Sequence, residues 1–106
     1  MAWLNMTKTD KKIEKSIRLA LTNACEKALE TIDGFKWITH KVNYKNFPVS
    51  LSITCVFDNP ESLVAAKAAD KDIQLKSWIQ KELAEQNILI RNINSVVSFD
   101  TEEFIH

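Results

Sequence analysis

The stretch that most constrains the fold is Val49–Phe57, VSLSITCVF. Val49, Leu51, Ile53, Cys55 and Phe57 are apolar at every second position, and Ser50, Ser52 and Thr54 occupy three of the gaps. Successive side chains of a strand point to opposite faces, so a period of two rich in β-branched residues predicts a strand with one buried face. The odd-numbered face is expected to form the floor of the core, with helices packed over it.

Upstream the period changes. Ile13, Ile17, Ala20, Leu21, Ala24, Ala28 and Ile32 recur at spacings of three and four, with Cys25 and Leu29 widening the stripe. This predicts an amphipathic helix over 9–33. Thr9 is suited to cap its start, and Asp10 places negative charge on the first turn. Gly34, the one glycine of the chain, follows the last periodic residue, where a backbone tolerant of positive φ is wanted. Residues 1–8 carry no periodicity and are expected to be flexible.

Phe35–Tyr44, FKWITHKVNY, is rich in β-branched and aromatic residues and predicts a second strand. Ile38, His40, Val42 and Tyr44 share one face, and Phe35, Trp37, Thr39 and Lys41 share the other. Both faces carry apolar residues, so the alternation leaves open which is buried. Lys45–Pro48 makes the turn of an antiparallel hairpin. Asn59, Pro60 and Glu61 then open a helix as N-cap, first-turn proline and dipole-matched acid. Leu63, Val64 and Ala68 are expected to share its buried face. Asp70-Lys71-Asp72 interrupts the apolar pattern, and Leu75, Trp78, Ile79 and Leu83 restore it, with Ile73 left off the stripe. This predicts a break near Asp70, with Asp70 or Asp72 capping a second helix that ends near Asn87. Ser95–Phe99 predicts a last strand with Val97 and Phe99 on one face, followed by a frayed tail. The expected fold is α+β, in the order helix, strand, strand, broken helix, strand. It is a three-stranded sheet with helices packed on one face, and residues 9–106 form a single domain.

Composition narrows the function classes. The 14 basic and 14 acidic residues of the 106 cancel, which counts against a dedicated duplex-DNA binder but leaves room for a local basic patch. No apolar run reaches the roughly 18 residues of a membrane span. The opening MAWLNM is too short and uncharged for a secretory signal. Cys25 and Cys55 lie outside any metal-ligand spacing and are expected as reduced thiols in a cytoplasmic protein. Phosphate-binding glycine loops, G-x-S-x-G and H-x-x-x-H do not occur, so no cofactor, metal or catalytic constellation is expected. His40 stands alone in its strand and reads as an accommodated side chain. Cys55 and Cys25 read as small core hydrophobes.

Two groups remain as candidate binding residues. Lys11, Lys15 and Arg18 fall on one helical face opposite Ile13 and Ile17. Positive charge in the first turns opposes the helix dipole, at a cost of a few tenths of a kcal/mol per residue, so a phosphate partner would explain it. A solvated face, partly neutralised by Glu14, accounts for the same residues. Trp37, Lys41, Tyr44, Lys45 and Phe47 mix aromatic and basic side chains along the hairpin, which suits stacking of single-stranded nucleic acid. A second small core or a dimer contact accounts for them equally.

The segments TDKKIEKSIRLAL, DGFKWITHKVNY, VFDNPESL and SFDTEE resemble a group of short bacterial proteins, some of which carry the label of Fis-type transcriptional regulator. That label implies a helix-turn-helix, which Val64–Leu83 would supply, with Lys76 and Lys81 toward DNA. The order of elements is also similar to the KH-like fold of ribosome-binding factor A, which lacks the glycine-rich clamp loop. The two resemblances imply a link to nucleic acid or the ribosome. The sequence therefore points to a non-catalytic cytoplasmic module that binds RNA or DNA. The alternatives are a protein-interaction or homodimer module, and a helix-turn-helix DNA regulator.

Overall fold

The computed structural model describes residues 6–102. Helix α1 (Lys8–Thr31) is followed by strand β1 (Phe35–Lys41), a 3-10 turn at Tyr44–Asn46, and strand β2 (Ser52–Phe57). Helices α2 (Pro60–Ala68) and α3 (Lys71–Glu85), a single turn α4 (Ile93–Val96) and strand β3 (Val97–Thr101) complete it. The sheet order is β1-β2-β3, with β1 antiparallel and β3 parallel to the central β2. This is the expected α+β arrangement, with the helices over one face of a three-stranded sheet. The expected flexible start and frayed tail fall largely on 1–5 and 103–106, outside the described residues.

α1 begins two residues earlier than expected. Thr7, not Thr9, is the N-cap, and its hydroxyl accepts from the Asp10 amide (3.0 Å) while the Asp10 carboxylate accepts from the Thr7 amide (3.2 Å). This reciprocal capping box satisfies two amides the helix start would otherwise leave open, a contribution of about 1 kcal/mol. The buried stripe of α1 is Ile17, Ala20, Leu21, Ala24 and Ala28. Its three alanines let Leu75, Ile79 and Leu83 of α3 approach closely, and all three are fully buried. Leu29, expected on the stripe, is 55% exposed. Its place on the helix falls outside the arc that α3 and the sheet cover.

β2 is the floor of the core: Leu51, Ile53, Cys55 and Phe57 are buried. Val49, the fifth member of the alternation, is 81% exposed. The chain is still turning there, with the Ser50 amide bonded to the Asn46 carbonyl and the Leu51 amide to the Pro48 carbonyl, so the strand starts only at Ser52. In β1 a bulge shifts the register between Phe35 and Trp37. The shift answers the question of which face is buried, because one extra residue moves the inward set from odd to even positions. Phe35 is buried edge-on to Phe57 with ring centroids 5.8 Å apart, whereas beyond the bulge Ile38 and His40 face the helices, opposite Cys55 and Ile53.

Gly34 has φ +81°, and a Cβ there would overlap the Ser62 side chain and stand 2.8 Å from Asp58 Oδ1. α2 starts as expected, with the Asn59 side chain accepting from the Ser62 amide and Pro60 in the first turn. Its buried residue is Ala66, and of the expected Leu63, Val64 and Ala68 only Leu63 packs against the core, while Val64 is 67% exposed and Ala68 is also exposed. The helix break lies at Asp70, which adopts φ +59° without capping α3 through its side chain. Asn87, just past α3, also has positive φ. Ile73 is 61% exposed, off the stripe as expected. No helix among the described residues is long and apolar enough to cross a membrane.

Candidate functional site

The polar residues of α1 and β1 meet at Glu14. One and a half turns inside α1, this residue sits where the helix passes over the far end of β1. Its Oε1 accepts from His40 Nε2 (2.8 Å) and from the Tyr44 hydroxyl (2.9 Å), and its Oε2 accepts from Arg18 Nε (2.8 Å). The first of these requires the His40 proton on Nε2. Glu14 and His40 are each 18% exposed at the side chain, and Arg18 is 73% exposed. Burial pushes the Glu14 carboxyl up, but the hydrogen bonds from His40, Arg18 and Tyr44 outweigh it and hold it below the ordinary value. Burial, followed by the hydrogen bond to that carboxylate, pushes Tyr44 up to about 12.

The hub has a consequence for the basic residues. Tyr44 belongs to the 3-10 turn, which is braced by Asn43 and Ser50. The Ser50 hydroxyl accepts from the Asn43 amide (2.9 Å) and donates to the Asn43 carbonyl (2.8 Å), and the Asn43 side chain accepts from the Lys45 amide (3.0 Å). Through Tyr44, the turn that carries Lys45 is tied to the helix that carries Lys11, Lys15 and Arg18. Lys11, Lys15 and Arg18 are exposed, and Ile17 on the opposite face is buried, as expected. Among the described residues Lys11, Lys15, Lys41 and Lys45 make no ion pair. Between residues 8 and 18 there are five basic and two acidic residues. Both acids, Asp10 and Glu14, hydrogen-bond within the protein, and the excess of basic over acidic residues leaves this segment net positive.

The hairpin residues do not form one surface. Trp37 and Lys41 pair with Val56 and Ser52 on the sheet face away from the helices. That face is otherwise polar, with Thr39, Thr54 and Ser98 in one row. Tyr44 is half-buried and engaged with Glu14, and Phe47 packs against the core. The exposed aromatic–basic row expected from Trp37, Lys41, Tyr44, Lys45 and Phe47 is therefore divided: Trp37 and Lys41 lie outward, Tyr44 and Phe47 inward.

Two grooves flank Arg18. One, of about 430 Å³, lies beside Met6, Lys11, Glu14 and Lys15. The other, of about 370 Å³, runs between α1 and the free edge of β1, with Leu21, Cys25 and Ile38 as its apolar lining and Trp37, Glu26 and His40 around it. Cys25 is not an activated thiol. Burial raises it, against a smaller opposing effect of the Ile38 backbone hydrogen bond. Cys55 is fully buried and pushed up by that burial to about 12. Among the described residues no group of three or more His, Cys, Asp or Glu side chains is placed to hold a metal ion. Lys76 lies over the Phe99 ring (5.5 Å to its centroid) and donates to Asn94 Oδ1 (3.0 Å), which turns it toward β3.

No protein-family model, curated protein or solved structure matches this chain significantly.

Spacing along the sequence exposes only part of this site. Glu14 and Arg18 are four apart on a helix, a visible pair. The partners that make Glu14 a hub lie 26 and 30 residues away, and no local pattern connects them.

Proposed function

We propose that the chain is a non-catalytic, cytoplasmic module that binds single-stranded nucleic acid along the basic end of α1. The observation that carries this reading is the Glu14 hub. It turns the Glu14 carboxylate to His40, Tyr44 and Arg18 and ties the turn that carries Lys45 to the helix that carries Lys11, Lys15 and Arg18, so basic residues of two separate segments are linked in a chain of zero net charge. Such concentration costs self-repulsion and opposes the dipole of α1, and phosphate neutralisation would repay both. The exposed Trp37 supplies a flat apolar surface of the kind bases stack on.

The test is fluorescence anisotropy of a labelled single-stranded RNA of about 20 nucleotides, titrated from about 50 to 200 mM salt. Binding is expected to weaken steeply with salt. The triple change Lys11→Glu, Lys15→Glu, Lys45→Glu is expected to cost more than about tenfold and to flatten the salt slope by about 0.7 per lost phosphate contact. No binding at the lowest salt, or indifference to the triple change, refutes the reading.

A second reading, a protein-interaction or homodimer module, draws on a different place. Val49 and Leu89 are 81% and 73% exposed, beside a groove of about 430 Å³ near Pro48, Ile90 and Val96. Exposed apolar clusters of this kind favour a protein partner. A mass that rises with concentration in light scattering would select this reading.

A further inference from the structure

We propose that the groove between α1 and the free edge of β1 receives one unstacked base of the bound strand, and that it prefers guanine. The inference rests on the nucleic-acid reading above and adds a specificity to it. The groove measures about 370 Å³, near the small end of the roughly 300–1,000 Å³ typical of ligand sites. That is room for one nucleoside and not for an extended cofactor. Its apolar lining of Leu21, Cys25 and Ile38 suits the faces of a flat heterocycle, and Trp37, 37% exposed, stands at its border on the strand edge, with its ring on the outer face for a neighbouring base to stack on.

Continuity with the basic end argues for a base as the occupant. Arg18 borders both this groove and the one beside Lys11 and Lys15. A strand whose phosphates follow Lys11, Lys15 and Arg18 therefore passes the mouth of the groove, and a base turned out of the stack at that point enters it. A neutral apolar ligand would have no use for the cations. A small anion would be repelled by Glu26.

Glu26 sets the identity of the base. It is exposed, it borders the groove, and among the described residues it makes no ion pair or side-chain hydrogen bond. A carboxylate only accepts, and its two oxygens match two adjacent donors. Guanine presents such a pair on its Watson–Crick edge, N1–H beside the N2 amino group. Adenine and cytosine present one amino group next to an acceptor, and uracil a single N–H flanked by two carbonyls, which the carboxylate repels. The expected order is guanine, then adenine and cytosine, then uracil. A bidentate contact of this kind is worth about five- to a hundredfold in discrimination.

The experiment uses the full chain and 12-nucleotide oligouridylates that carry at the centre one guanosine, one inosine (no N2 amino group), one adenosine, or uridine throughout. Anisotropy is expected to show at least about fivefold tighter binding of the guanosine oligomer than of all-uridine, with inosine losing most of the gain. Glu26→Gln, a change at an exposed helix position, is expected to level the four oligomers, by weakening the guanosine oligomer and by relieving the repulsion that holds all-uridine below it. Trp37→Ala is expected to weaken the guanosine oligomer more than the all-uridine one. Equal affinity of the four oligomers for the unaltered chain, or a guanosine preference that survives Glu26→Gln, overturns the base groove. If salt-dependent binding persists in that case, the basic site stands without it. Absence of binding to every oligomer at low salt removes the basic site and the base groove together.

Discussion

Two carboxylates anchor α1 to its neighbours, and they do it in different ways. Glu82 of α3 is 6% exposed and accepts from Asn23 Nδ2 (3.0 Å) and Lys27 Nζ (3.4 Å), both on α1. The same α1–α3 interface holds Ala20, Ala24, Ile79 and Leu83, all fully buried. Glu14, on α1, works at the rim. Its partners are a histidine, a tyrosine and an exposed arginine, and it sits between two open grooves. One carboxylate holds two helices across a dry interface. The other ties an edge strand and a turn to α1 at a rim that water reaches. The α1–α3 side is where stability is concentrated, and the α1–β1 side is where the chain has exposed, chargeable groups to present to a partner.

That division can be broken by mutation. The largest expected effect is on the dry side. Ile79→Ala should lower unfolding free energy by about 2–5 kcal/mol, because the surrounding side chains cannot close the hole, and urea denaturation measures it. Next comes the direct comparison. Glu82→Ala should cost about 1.5–3 kcal/mol, the range for hydrogen bonds to a buried charge. Glu14→Ala should cost less than half as much, because its site is wetter and Arg18 can return to water. Equal losses from the two substitutions would show that the rim is as structural as the core and would abolish the contrast.

The smallest effects lie in pH dependence, and they sharpen the contrast. Glu14 is held below its ordinary value of 4.5, so its contribution is complete above that pH and is lost as the pH falls through the lower folded value. Tyr44 is raised from 10 to about 12, so its contribution is complete below pH 10 and is lost as the pH rises toward 12. Glu14→Gln should flatten the acid limb of the stability profile, and Tyr44→Phe the alkaline limb, with the latter costing about 0.5 kcal/mol at neutral pH. Thermal unfolding across pH 3–11 would show both. An acid limb unchanged by Glu14→Gln would mean that other carboxylates carry it.

Much of the scaffold was legible because burial leaves a periodic trace. Leu51, Ile53, Cys55 and Phe57 announce the central strand, and the Asp70 interruption marks a real break with φ +59°. The failures share a cause. Val49 continues the alternation into a segment where the backbone is still turning, and alternation reports side-chain order without reporting where the ladder begins. The bulge before Trp37 reverses the inward face of β1, and nothing in FKWITHK fixes which residue is extra. In α2 the inward face is Leu63 and Ala66, three apart, and Val64 lies on the far side of the helix from Ala66, which a short pattern without polar contrast does not reveal. At the candidate site, Lys11, Lys15 and Arg18 were readable from helical spacing alone. The Glu14–His40–Tyr44 cluster was not, since it exists only once the hairpin has folded back on α1.

The parallel pairing of β2 with β3 carries a consequence for how the chain is made. Ile53 meets Val97, 44 positions further along the chain, whereas His40 meets Ile53 only 13 positions on. During synthesis the hairpin can therefore close long before its third member has left the ribosome, and the β2 side of that hairpin waits with unpaired amides and carbonyls. Ribosome-bound chains stopped short of residue 97 are exposed to illegitimate strand pairing, and protection of that edge arrives only when residues 97–101 take their place beside β2.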